Sequence, residues 1–249
     1  MSGHSKWATI KRAKGKADAA RGKVFNRLIR EITIAAKMGG GDPNSNPRLR
    51  TAMDKAKAAN MPNKNMETAI LKGTGKLEGV VYEEFALEGY GPGGVAIILE
   101  CTSDNRNRTV SEIRHCFTRA GGNLGAGNSV AWMFSAKGII RVAKNAKDED
   151  SLMELVVEAG AEDLLTEENE YEITTPQDAF EKVKEALAKA GITPISAEQT
   201  KVAANLVKVE GENAGKVMRL IDALDDNDDT QHVYTNAEIS DEDAEKFAA

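Results

Sequence analysis

The apolar residues of this 249-residue chain change their period once, near residue 80, and that change limits what each part can build. Before it they recur at helical spacing. Val24, Phe25, Leu28, Ile29, Ile32 and Ala36 form one stripe, which Gly39-Gly40-Gly41-Asp42-Pro43 ends. A second helix follows Pro47 with Leu49, Ala52, Met53 and Ala56 inward. A third begins at Pro62, buries Met66, Ala69 and Ile70, and stops at Gly73. These residues predict a small basic helical bundle, with Gly73 to Gly79 as the linker out of it.

After Val80 the period is two. Phe85 and Leu87 alternate with acids; Val95, Ile97, Leu99 and Cys101 line one strand face, and Val130, Trp132 and Phe134 another. Val110, Ile113, Phe117 and Ala120 make a helical stripe, which Thr109 and Glu112 open as a capping box. From residue 138 the order is strand (139–142), helix (Leu152, Leu155, Val156, Ala159), strands near 163–165 and 171–175, a helix started by Thr175-Pro176, and a strand near 195–199. That is β-α-β-β-α-β, the split βαβ pattern. Strands 95–101, 129–135, 205–209 and 230–235 with helices 109–120 and 213–224 complete a second copy, so the last domain is inserted into the middle one. The class is α+β.

Charge is segregated as sharply as period. Residues 1–76 hold 17 Lys and Arg against five acids, a balance of +12, while the other 173 residues hold 16 against 34, a balance of −18. Folding requires no such segregation, and each part repels itself, so a polyanionic partner for the first segment is the natural reading. The candidate nucleic-acid contacts are Lys6, Lys11, Arg12, Lys14, Lys16, Arg21, Lys23, Arg27 and Arg30, with Arg48, Arg50, Lys55 and Lys57 on the outer face of the second helix. Trp7 adds a surface for an unpaired base. A solvated charged face and an organelle transit peptide are the competing readings of the same residues.

Other motifs carry less. Gly89-Tyr90-Gly91-Pro92-Gly93-Gly94 precedes a strand, where a phosphate cradle needs a helix, and reads as a hairpin loop. Arg106 and Arg108 sit where a helix begins, against its dipole; they suit either an anionic partner or salt bridges to a neighbouring acidic domain. Asp225, Asn227 and Asp229 start like a calcium loop, but Thr230 and Asn236 stand where glycine and glutamate are needed, which leaves a solvated acidic turn. His4, His115 and His232 fall in separate elements, and with Cys101 and Cys116 they give no metal-ligand spacing. Ser103, Asp104 and His115 lack the local geometry of a catalytic triad. No cofactor, metal or small-molecule substrate is therefore expected. The longest apolar run, Val95 to Leu99, is far short of a membrane span.

Gly3-His4-Ser5-Lys6-Trp7, Gly39 to Pro43, Asn46-Pro47-Arg48-Leu49-Arg50, Gly89 to Gly94, Ser103-Asp104-Asn105-Arg106-Asn107-Arg108-Thr109, Gly121-Gly122-Asn123-Leu124 and Val130-Ala131-Trp132-Met133-Phe134 together resemble the YebC-type transcriptional regulatory proteins. Beyond about residue 140 the local likeness is weaker, although Met218 to Ala223 and Asn236-Ala237-Glu238-Ile239 still fit. The resemblance implies a helical first domain followed by two ferredoxin-like domains; the order of elements divides the chain into a basic helical domain with an N-terminal arm (1–79), a discontinuous ferredoxin-like domain (80–136 with 203–240) and an inserted ferredoxin-like domain (137–202). It also implies a non-enzymatic, DNA-binding transcriptional regulator. Some members, a mitochondrial translational activator among them, act instead on translation, at the ribosome and in relation to proline-rich nascent chains. Because the motif begins at residue 3, no presequence and a bacterial cytoplasmic location are expected. Target sequence and oligomeric state have no signature in these residues.

Overall fold

The helix that the periodicity starts at residue 24 begins a further two turns earlier. α1 spans Ala17–Gly39, α2 Pro47–Ala58 and α3 Asn63–Gly73. The computed structural model describes residues 17–247, with side chains from residue 22 onward. Ile32, Ala35 and Ala36 of α1 pack on Leu49, Ala52 and Ala56 of α2 and on Met66 and Ala69 of α3, forming an apolar core of their own. The alanines bring the helix axes close. A Cβ on Gly73 would lie 2.2 Å from the Thr33 carbonyl oxygen, so only glycine lets α3 end against α1.

One side chain joins the first two helices. Asn46 Nδ2 donates to the carbonyls of Ala35 (2.7 Å) and Gly40 (2.9 Å), two acceptors at the C-terminal end of α1. Its Oδ1 accepts from Leu49 N at 3.0 Å and so caps α2, while Pro47 takes the first helical position.

The remainder forms two four-stranded antiparallel sheets, in an α+β arrangement as expected. The chain divides into two compact units: Trp132–Leu206, and the residues on either side of it, to which α1–α3 also belong. In the flanking unit β1 (Glu83–Tyr90) and β2 (Ala96–Ser103) form a hairpin, turned by Gly93 and Gly94 in left-handed backbone. β3 (Asn123–Leu124) adds beside β1, and β9 (Thr230–Thr235) beside β2. α4 (Arg106–Ala120) and α7 (Gly211–Asp226) bury Ile113, Phe117, Val217, Leu220 and Leu224 against Val95, Ile97 and Leu99.

This sheet departs from the expected strands at two places. Residues 129–135 are not one of its strands: Ala131–Met133 form a 3₁₀ turn, Phe134 opens the first strand of the inserted unit, and Trp132 is 73% exposed. The cause is Glu88, buried on β1, whose carboxylate accepts from the N–H groups of Asn128 (2.8 Å), Val130 (2.8 Å) and Ala131 (2.9 Å). Donors held by a carboxylate cannot join a ladder. The segment 205–209 also stays out of the sheet: β8 (Val207–Val209) pairs in parallel with β10 (Ala237–Ile239), and the short α8 (Asp241–Phe247) follows. With β1 between β2 and β3, the β2-α4-β3 connection spans one strand, which keeps the split βαβ arrangement with different strands. The capping box also moves: Asn105 caps α4, accepting from Arg108 N at 3.1 Å, and Thr109 lies buried inside the helix.

The inserted unit follows the expected order: β4 (Phe134–Ala143), α5 (Glu149–Glu158), β5 (Asp163–Thr166), β6 (Glu170–Pro176), α6 (Phe180–Lys189) and β7 (Ser196–Ala203). Its strands lie as β5-β6-β4-β7, all antiparallel, the ferredoxin-like sheet. Thr175 and Pro176 close β6 rather than start the helix. Arg141, buried on β4, pairs with Glu172 (2.8 Å) directly across on β6 and with Glu170 (3.2 Å).

Asn46→Ala is expected to lower stability by about 2 kcal/mol, because it removes a cap and leaves a buried helix-end carbonyl unsatisfied. Asn44→Ala, at an exposed side chain in the same loop, is expected to change stability by less than about 0.5 kcal/mol. Urea denaturation followed by circular dichroism reads both.

Candidate nucleic-acid interface

Lys23, Arg27 and Arg30 stand at i, i+4 and i+7 on α1, so helical geometry alone puts them in one stripe. That stripe faces the run Asp225-Asp226-Asn227-Asp228-Asp229 between α7 and β9. Lys23 Nζ lies 2.8 Å from the Asp226 carboxylate. Arg27 pairs with the Asp225 carboxylate at 3.3 Å and donates to its carbonyl. Arg30 pairs with Asp229 at 3.1 Å and donates to the Asp228 carbonyl. The acidic turn is thus not merely solvated; it is the internal counter-ion of the basic helix.

Asp229 is the most heavily engaged group in this contact, with 3% of its side chain exposed. Its Oδ2 accepts from Thr109 Oγ1 (2.6 Å), Arg108 Nη2 (2.8 Å) and Ser103 Oγ (3.0 Å), and its main-chain carbonyl accepts from Thr102 N (2.8 Å). Burial pushes this carboxyl up. The hydrogen bonds from Arg108, Thr109 and Ser103, with the Arg30 charge, outweigh that and hold it below the ordinary carboxylate range. Arg108 therefore serves a salt bridge to the acidic segment, and a second one to Asp104 at 2.9 Å. Arg106 stacks over the Phe85 ring, 4.8 Å from its centroid, where its charge gains a cation–π contact.

Arg48 bridges α1 to β1, with its Nε 2.9 Å from Glu31 and its guanidinium on Glu84. Those two carboxylates hold it further above its ordinary value than burial lowers it. Lys57 pairs with Asp54 at 3.6 Å on the surface, and Arg50 and Lys55 are exposed. Between the helices and the open face of the sheet lies a crevice of about 1050 Å³, lined by Leu28, Glu31, Arg48, Lys55, Phe85 and His232 among others. Desolvation at the crevice wall lowers the His232 pKa, Glu100 opposes that, and Lys55 adds to it. Lys6, Trp7, Lys11, Arg12, Lys14 and Lys16 lie outside the described residues, as does the side chain of Arg21.

The fold thus gathers Lys23, Arg27, Arg30 and Arg108 around one acidic turn, holds Arg48 apart on its own carboxylates, and leaves Arg50 and Lys55 facing solvent. A nucleic acid that engaged the α1 stripe would compete with the turn for these cations. The turn's part in the contact has one signal in the sequence, the match between a cationic stripe and five consecutive Asp or Asn residues. Among the described residues no three His, Cys, Asp or Glu side chains are placed to hold a metal ion, and no helix is long and apolar enough to cross a membrane.

Residues 5–76 match the family model described as the TACO1/YebC protein N-terminal domain, and residues 82–237 match that of the TACO1/YebC second and third domain. A protein of Geobacter sulfurreducens named "Probable transcriptional regulatory protein" is 57% identical over 247 residues, covering 99% of this chain and 100% of its own length. One of the same name from Koribacter versatilis is 56% identical over 248 residues, covering 100% of both. The crystal structure of a conserved hypothetical protein from Aquifex aeolicus is similar with a TM-score of 0.80 and 48% identity, over 91% of this chain and 93% of that one.

Asp229→Asn is expected to cost about 3 kcal/mol, because it leaves two arginines facing a neutral amide in a buried site. A carboxyl whose pKa is lowered by folding contributes fully above its unfolded value of about 4, and that contribution fades as pH falls through the lower folded value. The stability gap between wild type and Asp229→Asn, measured by urea denaturation, should therefore be widest near neutrality and narrow below about pH 4.

Proposed function

The chain belongs to the TACO1/YebC family, and from that premise we propose that it is a non-enzymatic, nucleic-acid-binding regulator of gene expression that acts on DNA as a transcriptional regulator. The observation that carries this reading is the balance of +12 in residues 1–76 of a chain whose net charge is −6. Cations gathered in one segment release condensed counterions from a phosphate backbone, which supplies affinity without a shaped pocket. The relatives' name, "Probable transcriptional regulatory protein", supports regulation as the role. Three apolar cores support a division into a basic domain (1–79), a discontinuous domain (80–136 with 203–240) and an inserted one (137–202). A cytoplasmic location belongs to the same proposal.

One observation favours a second reading, in which the target is structured RNA of the ribosome. Lys23, Arg27 and Arg30, three of the cations on the longest helix, are turned onto the acidic segment and not presented as a groove-reading face. Contact through the remaining cations would be made to phosphates, which position a protein without reading bases. Duplex DNA and a folded RNA of equal charge, titrated in parallel against random-sequence competitor, separate the two: a specificity ratio on DNA favours the first reading, sequence-independent preference for RNA the second.

Replacing Lys11, Arg12, Lys14 and Lys16 together by Gln should weaken binding and flatten the slope of log affinity against log salt by about 3 to 4 on duplex DNA, if each cation meets a phosphate. An unchanged slope removes these residues from the interface. Neutralising the turn with Asp225→Asn, Asp226→Asn and Asp228→Asn should raise affinity about tenfold if the α1 stripe joins in binding, a change of about 1.4 kcal/mol. Unaltered affinity restricts contact to the other cations. Fluorescence anisotropy at four salt concentrations measures both.

A further inference from the structure

α4 and α7 lie beside each other over the sheet, and the seam on their outer side forms a groove of about 430 Å³. His115, Cys116, Arg119 and Ala120 line it from α4, and Lys216, Arg219, Leu220 and Ala223 from α7. These positions recur at three- and four-residue spacing, so each helix presents one stripe. The floor is small and apolar: Cys116, Ala120, Leu220 and Ala223. The walls are Arg119, Lys216 and Arg219.

These three cations, like Arg50 and Lys55, differ from the arginines that join one element of the fold to another. Arg27, Arg30, Arg48, Arg108 and Arg141 each hold a carboxylate, whereas Arg119, Lys216 and Arg219 form no ion pair among the described residues. Scarcity of anions does not explain this, because residues 77–249 carry 34 acids against 16 bases. Glu112, one turn before the groove on α4, accepts from Asn227 Nδ2 at 2.8 Å. Three cations are thus left bare around an apolar floor on the acidic part of the chain.

We infer that this groove docks an acidic amphipathic segment of a partner protein. Such a segment lays an apolar side chain on the floor and sets carboxylates against the two guanidiniums and the lysine, where charge-assisted hydrogen bonds are strong. A phosphate backbone would use the walls alone, and among the described residues no Phe, Tyr or Trp lines the groove to stack a base. The inference stands apart from the proposed function: it concerns the face of α4 and α7, and it holds whether residues 1–76 bind DNA, RNA or neither.

The test uses the full chain and a synthetic 16-residue peptide with Leu at i, i+4, i+7 and i+11 among Glu and Asp, beside the same peptide with Gln and Asn in their place. Cys116 lines the groove and Cys101 is buried, so the rate of Cys116 alkylation by N-ethylmaleimide reports occupancy. The acidic peptide is expected to bind and to slow alkylation several-fold. Arg119→Gln, Lys216→Gln and Arg219→Gln together should weaken it at least tenfold, while Lys216→Arg retains it. The three side chains are exposed, so the triple variant should melt with wild type; should it unfold, Arg219→Glu alone must show the loss. Equal binding of the neutral peptide, undiminished binding by the variants, or no binding overturns the inference. Protection of Cys116 by a 12-nucleotide RNA in place of the peptide overturns it too, and assigns the groove to nucleic acid.

Discussion

The flanking unit is organised around a carboxylate withdrawn from water. Asp229 receives Ser103 from the end of β2, Arg108 and Thr109 from α4, and Arg30 from α1, so three elements converge on one side chain. A buried carboxylate is tolerated only when hydrogen bonds and charges replace its hydration, and here they do so well enough to hold it ionised against the effect of burial. Because its donors come from different elements, Oδ2 gains its hydrogen bonds and Oδ1 its ion pair only when all of them are in place. The position of the basic helix follows from that condition.

A second carboxylate acts on the main chain in the same way. Glu88 takes three consecutive-region N–H donors from residues 128–131, which turns a segment with strand-like alternation into a tethered loop. In the inserted unit the charge is reversed, with Arg141 enclosed by Glu170 and Glu172. Each sheet thus places a charged residue where an apolar one would pack more simply, and each such residue fixes how neighbouring segments meet.

Those same side chains explain what was legible beforehand. The three helices and the inserted sheet could be read because their patterns are local: the stripe from Val24 to Ala36, the break at Gly39 to Pro43, and the β-α-β-β-α-β order each report on neighbours along the chain. The flanking sheet was harder. Phe85 and Leu87 marked β1 as a strand, but nothing in their spacing placed it between β2 and β3. Val130, Trp132 and Phe134 alternate as a strand should, and it is Glu88, forty residues away, that denies them a ladder. For the interface, the number and sign of the charges were readable and their pairings were not, so Lys23, Arg27 and Arg30 could be nominated while the acidic turn they bind passed for solvent-facing loop.

By itself, then, the amino-acid order determined the elements, their class, the family, and the gathering of cations in the first third of the chain, since all of these depend on residue type and short-range spacing. Only the tertiary structure decided which cations are bound internally, which strand lies at the centre of the flanking sheet, and which bases along α4 and α7 stay bare. Ion pairs and hydrogen bonds act across space over a few ångströms, and a chain of this length brings residues two hundred positions apart within that reach.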